Sequence, residues 1–152
     1  MVDVMQTIIG ERLKKTRLLF DNVAFQKVID ANIRREILNM IQSDQLMKNG
    51  IDSDGNVLGY YSWMTEAMSK GRKKEGDKYN LFDTGEFYRQ MFVIALRDGL
   101  LIDSDGADKE DTNLFTEYGN NIVGLTDENL GKLVELLRPK YIEYTRQTLG
   151  LY

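Results

Sequence analysis

The reactive side chains of this 152-residue sequence are carboxylates, amines, guanidiniums, hydroxyls and phenols, because it holds no cysteine and no histidine. That removes thiolate nucleophiles, disulfides, thiolate-bound zinc, iron–sulfur clusters and imidazole acid–base catalysis. The most suggestive pattern that remains is Ile-Asp-Ser-Asp-Gly, found at 51–55 and again at 102–106. An EF-hand calcium loop needs an acidic first ligand, a glycine at its sixth position and a bidentate Glu at its twelfth. With Gly55 in the sixth position the two end ligands become Gly50 and Tyr61. With Gly106 there they become Leu101 and Thr112. Both repeats therefore lack the ligands that close a calcium site. They are expected to be tight turns, in which Asp and Ser accept backbone N–H groups and Gly supplies positive φ. No metal or other cofactor is expected.

Two charged stretches and one aromatic cluster complete the chemically interesting residues. Asp98, Asp103, Asp105, Asp108, Glu110 and Asp111 form an acidic stretch. Paired carboxylates can hydrolyse glycosides or hold a catalytic metal, but carboxylates clustered in a polar segment usually serve solvation. They also suit a weakly held cation or a basic neighbour. Lys70, Arg72, Lys73, Lys74 and Lys78 crowd a nine-residue stretch with two glycines. Its Gly-Arg-Lys-Lys-Glu-Gly is not a phosphate-cradling loop, and the chain has no GxGxxG or GxSxG. This basic loop is expected to be a solvated excursion, mobile until a partner orders it, or an arm for an acidic surface or DNA phosphates. Tyr60, Tyr61 and Trp63 suit an interface or an ordinary core equally well. The chain is not expected to be an enzyme.

With 20 basic and 24 acidic residues the formal net charge is -4, the wrong sign for a general nucleic-acid binder. No apolar run has the length of a membrane span, so no membrane partner is expected. Met1 to Arg12 lacks a secretory apolar region, which makes cytosolic synthesis the expectation.

The elements that must position these groups follow from periodicity. Phe25, Val28, Ile29, Ile33, Ile37, Met40 and Ile41 recur at three and four, which predicts an apolar helical stripe capped at Asp21-Asn22. Before it, Ile8 to Phe20 is expected to be a shorter helix with Arg12, Lys14, Lys15 and Arg17 on a basic face. That face suits solvent, an acidic partner or a nucleic-acid backbone. Asn49-Gly50 ends the long helix. Weak strands about Val57–Tyr61 and Tyr79–Leu81, and a turn or two of helix from Trp63 to Met68, come next. Asp83-Thr84 is expected to cap a short helix through Gln90. Two apolar runs over 91–104, joined by Asp-Gly, predict a hairpin with both strands substantially buried under the N-terminal helix. Leu114, Phe115 and Tyr118 fall at helical spacing. Thr126 caps a helix with Leu130, Leu133, Val134 and Leu137 on its stripe. Pro139 is expected to stop it and begin a second helix reaching about Leu149. The fold expected is α+β, a small antiparallel sheet against a long N-terminal helix and C-terminal helices, in a single domain over 1–152. Its parts are a helical segment 4–48, a turn and basic loop 49–80, a hairpin core 81–125 and terminal helices 126–149.

The segment Leu81-Phe82-Asp83-Thr84-Gly85-Glu86-Phe87-Tyr88, the hairpin Phe92 to Ser104 and the later step Glu117-Tyr118-Gly119 together resemble phage virion-morphogenesis proteins of the tail-completion and neck type. The stretch from Lys48-Asn49-Gly50-Ile51-Asp52 to Gly59-Tyr60-Tyr61-Ser62 is also similar to small uncharacterised proteins of phages of Bacteroidetes-type hosts. The useful resemblance covers roughly residues 81–125. It implies a non-catalytic virion structural protein, a head–tail connector or tail-completion subunit that assembles with its own copies into a ring and meets portal, connector or tail proteins. A tail terminator or other minor tail protein is the nearest alternative. A small phage-encoded module binding nucleic acid or protein, with packaged DNA as one contact, is the next. In a ring the basic loop and the acidic stretch would offer opposite charges to neighbouring copies, setting register and encounter.

Overall fold

Asp30 decides how the N-terminal helices begin. Its carboxylate accepts the Ile33 amide at 2.9 Å, which starts a fresh helix instead of continuing the old one. The computed structural model describes residues 23–97, 99–109 and 112–151. Within them, α1 covers Val23–Val28 and α2 covers Ala31–Asn39. The expected stripe is present, with Val28, Ile29, Ile33, Ile37, Met40 and Ile41 buried. The continuous helix expected to carry it is not, because the Asp30 cap divides it. The cap expected at Asp21-Asn22 and the basic-faced helix before it lie outside the described residues.

α2 passes directly into a π-helix, Met40–Asn49. Its wider winding suits the sequence: the buried residues Met40, Ile41, Gln45 and Leu46 repeat at a spacing of five. Gly50 ends it in the left-handed region at φ 58°, with its N–H bonded back to Gln45 and Leu46. A Cβ at Gly50 would also lie 2.6 Å from the Tyr79 carbonyl, so this position excludes side chains twice over. The first Ile-Asp-Ser-Asp-Gly is a turn in which the Asp52 carboxylate accepts the Asp54 and Asn56 amides, both at 2.9 Å. The expected strands flanking it amount to the isolated bridges Ile51–Val57 and Tyr60–Lys78. Trp63–Met68 forms α3, capped by Ser62.

Glu86–Gln90 forms α4, and its Phe87 is completely buried. It leads into the antiparallel hairpin β1, Phe92–Ala95, and β2, Leu100–Asp103, in the register Val93 opposite Ile102. The strands are less buried than expected. Val93 faces the core, while Phe92, Ile94 and Leu101 remain exposed on the outer side. The pleat gives each strand two faces, and α2 covers one of them. The second Ile-Asp-Ser-Asp-Gly ends β2. There the buried Ser104 hydroxyl donates to the Phe87 carbonyl at 3.1 Å. A second small pair follows, β3, Ala107–Lys109, and β4, Thr112–Asn113, which no sequence pattern announced. Then come α5, Leu114–Tyr118, and a 3₁₀ turn, Asn120–Val123.

The last element, α6, runs unbroken from Asp127 to Leu149 behind its Thr126 cap. Pro139 neither stops nor divides it, contrary to expectation. The helix beyond Pro139 lies against α1, and Lys140 pairs with Asp30 at 2.6 Å, so tertiary contact offsets the lost N–H bond. The expected stripe is also rotated. Leu133 is buried, while Leu130 and Val134 are about half exposed. The rotation follows from Asn129, which points inward to Gln45.

Gln45 joins the two halves of the chain. Its amide donates to the Gly124 carbonyl at 2.8 Å and its oxygen accepts both the Thr126 N–H and the Asn129 amide at 2.9 Å. Mixed α+β architecture is thus what the described residues show, with no helix among them long and apolar enough to cross a membrane.

Two substitutions check this account. Gln45→Leu leaves a carbonyl and two N–H donors unpaired in the interior and should cost about 2–4 kcal/mol in chemical denaturation. The exposed Gln147→Leu should stay within about 0.5 kcal/mol. Equal losses from the two would contradict the role given to Gln45. Pro139→Ala restores a helix N–H and should raise the thermal midpoint, by the equivalent of about 1–3 kcal/mol. A fall would mean that the proline is needed where it stands.

Candidate functional site

A cleft of about 150 Å³ brings together three tyrosines, a lysine and two carboxylates among its described lining residues. Four pieces of chain build it. Tyr61 precedes α3 and Lys73 comes from the basic loop. Tyr79 to Asp83 form the segment before α4, and Thr112 to Tyr118 comprise β4 and α5. The Gly50 approach to Tyr79 and Lys78 brings the end of the basic loop against the helical layer. The Tyr61 hydroxyl donates to the Asn80 side chain at 2.9 Å and accepts the Asn80 N–H. Tyr88 donates from its own hydroxyl to the Asn80 carbonyl. The segment is therefore held from both sides.

Three phenol rings wall the cleft. Tyr61 and Tyr79 lie 4.8 Å apart between centroids, tilted, and Tyr79 meets Tyr118 edge-on at 6.0 Å. Lys73 sits over the Tyr61 ring, 5.4 Å from its centroid, with its ammonium 3.5 Å from Asp83. Glu117 lines the same cleft beside Tyr118. Partial burial, and then the adjacent Glu117 carboxylate, raise the Tyr118 phenol above its ordinary ionisation range. Chemically, the cleft combines aromatic faces with carboxylates, a set that holds cations by ring quadrupole and charge together.

The structure separates residues that the sequence grouped. Of the aromatic cluster only Tyr61 enters the cleft. Tyr60 and Trp63 are exposed, Trp63 by 64%. Of the basic loop only Lys73 is drawn in, and Lys70, Arg72, Lys74 and Lys78 are exposed. The loop itself is not the free excursion expected. Lys73 N–H bonds to the Ser69 hydroxyl, Glu75 N–H to the Glu66 carboxylate and Gly76 N–H to the Tyr61 carbonyl, at 2.8–3.1 Å. In the acidic stretch, Asp103 accepts the Ser104 amide at 2.8 Å and Asp105 is exposed. The Asp108 backbone belongs to β3. Asp98, Glu110 and Asp111 lie outside the described residues. No cluster of three or more carboxylates able to hold a metal occurs among the described residues.

Tyr79, Asp83, Glu117 and Tyr118 are the cleft residues that sequence reasoning did not select. The usable signal was the tyrosine spacing on either side of the basic loop, at Tyr61 and Tyr79. No protein-family model, no curated protein and no solved structure matches the chain.

The Tyr118 shift has a signed consequence. A phenol harder to ionise when folded favours the folded state below the unfolded tyrosine value of about pH 10, and that advantage is lost as pH rises above it. Denaturation measured from neutral to alkaline pH should therefore fall less steeply above about pH 10 in Tyr118→Phe than in the parent. Parallel curves would show that the Tyr118 environment is not the one described.

Proposed function

We propose that this chain is a bacteriophage virion structural protein, a head–tail connector or tail-completion subunit of the neck that assembles with its own copies into a ring. The observation that carries the reading is the pair of apolar faces left on different elements. One is the outer side of the hairpin, with Phe92, Ile94 and Leu101. The other is a stripe of α6, with Leu130, Val134 and Tyr141. A head-to-tail ring needs two unlike surfaces on each copy, because each interface joins one patch to a different one. The exposed Tyr60, Trp63, Met64 and Met68 add a third apolar area beside the basic loop. The neck resemblance of residues 81–125 supplies the setting, a virion assembled in a bacterial host.

The charge part of the proposal now rests on fewer residues. Lys73 is paired within its own chain, so Lys70, Arg72, Lys74 and Lys78 are the cations available to neighbours. These four also carry the alternative of a nucleic-acid module, for which salt-sensitive DNA binding by the isolated chain is the sign. A tail terminator would present the same surfaces at a different station.

Mass spectrometry of purified particles, with imaging of the neck, tests the assignment. The expected result is this chain in a fixed, multiple copy number. Its absence from mature particles would overturn the proposal. Reversing charge at Arg72 and Lys74 together should impair particle assembly while the isolated chain keeps its helical signal. Unimpaired assembly would remove the basic loop from the interface.

A further inference from the structure

We infer that the outward side of α3, with the basic loop beside it, is a docking surface for an anionic lipid bilayer. The way α3 is turned comes first. It spans Trp63–Met68, and none of its six residues is buried. Its polar side chains are engaged with their own loop. The Thr65 hydroxyl shares a hydrogen bond with Ser62, and the Glu66 carboxylate accepts the Glu75 N–H at 2.8 Å. The spacing of four aligns Trp63 with Ala67 and Met64 with Met68. All four are exposed, Met68 by 80%. An ordinary surface helix buries its apolar side, whereas this one presents it to the outside.

The cations beside this side of the helix are fixed in place. Tyr60 and Lys78 stand opposite each other in an antiparallel bridge, which puts an exposed phenol and an ammonium on one side of the pair. The Gly71 N–H donates to the Glu66 carbonyl at 3.0 Å and Arg72 Nε to the Ser69 carbonyl at 3.2 Å, so the loop is anchored to the end of α3. Lys70, Arg72, Lys74 and Lys78 are exposed and form no ion pair among the described residues. The exposed carboxylates of the same loop are Glu75 and Asp77, so cations are in excess there. Apolar side chains flanked by unpaired cations match the two layers of an anionic bilayer. The side chains enter the acyl boundary while the cations meet the headgroups, and the two signals together hold the protein on the surface. A nucleic acid fits less well. Its binding must come from phosphate charge, which Glu75 and Asp77 oppose, and Met64 and Met68 have no ring to stack on a base. The contact is with one leaflet and involves no crossing of the bilayer. It is independent of the two faces that carry the ring assignment, the hairpin and α6.

Trp63 is the only tryptophan of the chain, so its emission reports on this surface directly. The test titrates the full chain with vesicles of phosphatidylcholine and phosphatidylserine, and with vesicles of phosphatidylcholine alone. The mixed vesicles should shift the emission to the blue, and bromine on their acyl chains should quench it. Phosphatidylcholine alone should bind roughly ten-fold more weakly, the scale of one or two lost headgroup contacts. Met68→Asp, at the most exposed position of α3, should keep the helical signal and weaken binding to the mixed vesicles roughly ten-fold. Lys70→Gln with Lys74→Gln should reduce the preference for phosphatidylserine. No spectral change with either vesicle, a blue shift without bromine quenching, or unchanged binding in both variants would each overturn the inference. A blue shift on concentrating the chain alone would overturn it too, by giving the surface to a second copy. So would a single-stranded oligonucleotide that quenches Trp63 at lower concentration than the mixed vesicles act.

Discussion

The Gln45 side chain is the joint on which the rest of this molecule depends. One primary amide meets the Gly124 carbonyl, the Thr126 N–H and the Asn129 side chain, in an interior where an unmade bond is expensive. Asn129 reaches onward to the Met40 carbonyl, closing the network onto the π-helix. The turn at 51–55 docks on the same region: Ser53 N–H bonds to the Asn121 carbonyl, and a Cβ on Gly124 would come within 2.6 Å of Ser53. The start of α6 is thereby fixed, and its later half is fixed again where Lys140 meets Asp30. A helix held on both sides of Pro139 tolerates the proline that would end a free one.

From that joint the geometry passes to the cleft. The π-helix ends at Gly50, whose bare backbone admits Tyr79 and Lys78. Tyr79 then stands between Tyr61 and Tyr118, and the basic loop that ends at Lys78 is drawn back over Tyr61. One lysine of that loop is consumed internally while its neighbours face outward. The loop therefore has two sides, Lys73 turned inward over Tyr61 and Lys70, Arg72, Lys74 and Lys78 turned outward. The hairpin is tied in independently, by Ser104 to Phe87, and Gln42 ties the π-helix to the Tyr88 carbonyl at 2.8 Å.

Legibility in the sequence followed the range of the interactions. The Gly50 stop, the Thr126 cap, the 92–103 hairpin and the buried stripe from Val28 to Ile41 obey rules that operate within a few residues, and all of them were visible. The survival of α6 through Pro139 was not, because Lys140 meets Asp30 across 110 residues, and the Asp30 cap, although it acts on Ile33 only three residues on, was hidden by the apolar stripe that runs through it. Gln45 had a visible trace: it continues the spacing of four set by Ile33, Ile37 and Ile41. A polar side chain on an apolar stripe signals an interior bond, but its partners lie about eighty positions away. The cleft was legible only in fragments. Tyr61 and Lys73 were selected for an interface, whereas Asp83 was read as a helix cap and Glu117 as part of a short Tyr-Gly step until folding placed both in the cleft.

Native-state hydrogen exchange at the Thr126 amide tests the Gln45 joint most directly. This N–H sits at a loop-to-helix boundary, where an ordinary position would exchange quickly. Its acceptor here is the buried Gln45 oxygen at 2.9 Å, so the amide should open only with global unfolding. Exchange at the global free energy, collapsing to loop-like rates in Gln45→Leu, is the result predicted. Fast exchange in the parent protein would contradict the claim that this joint holds the two halves together.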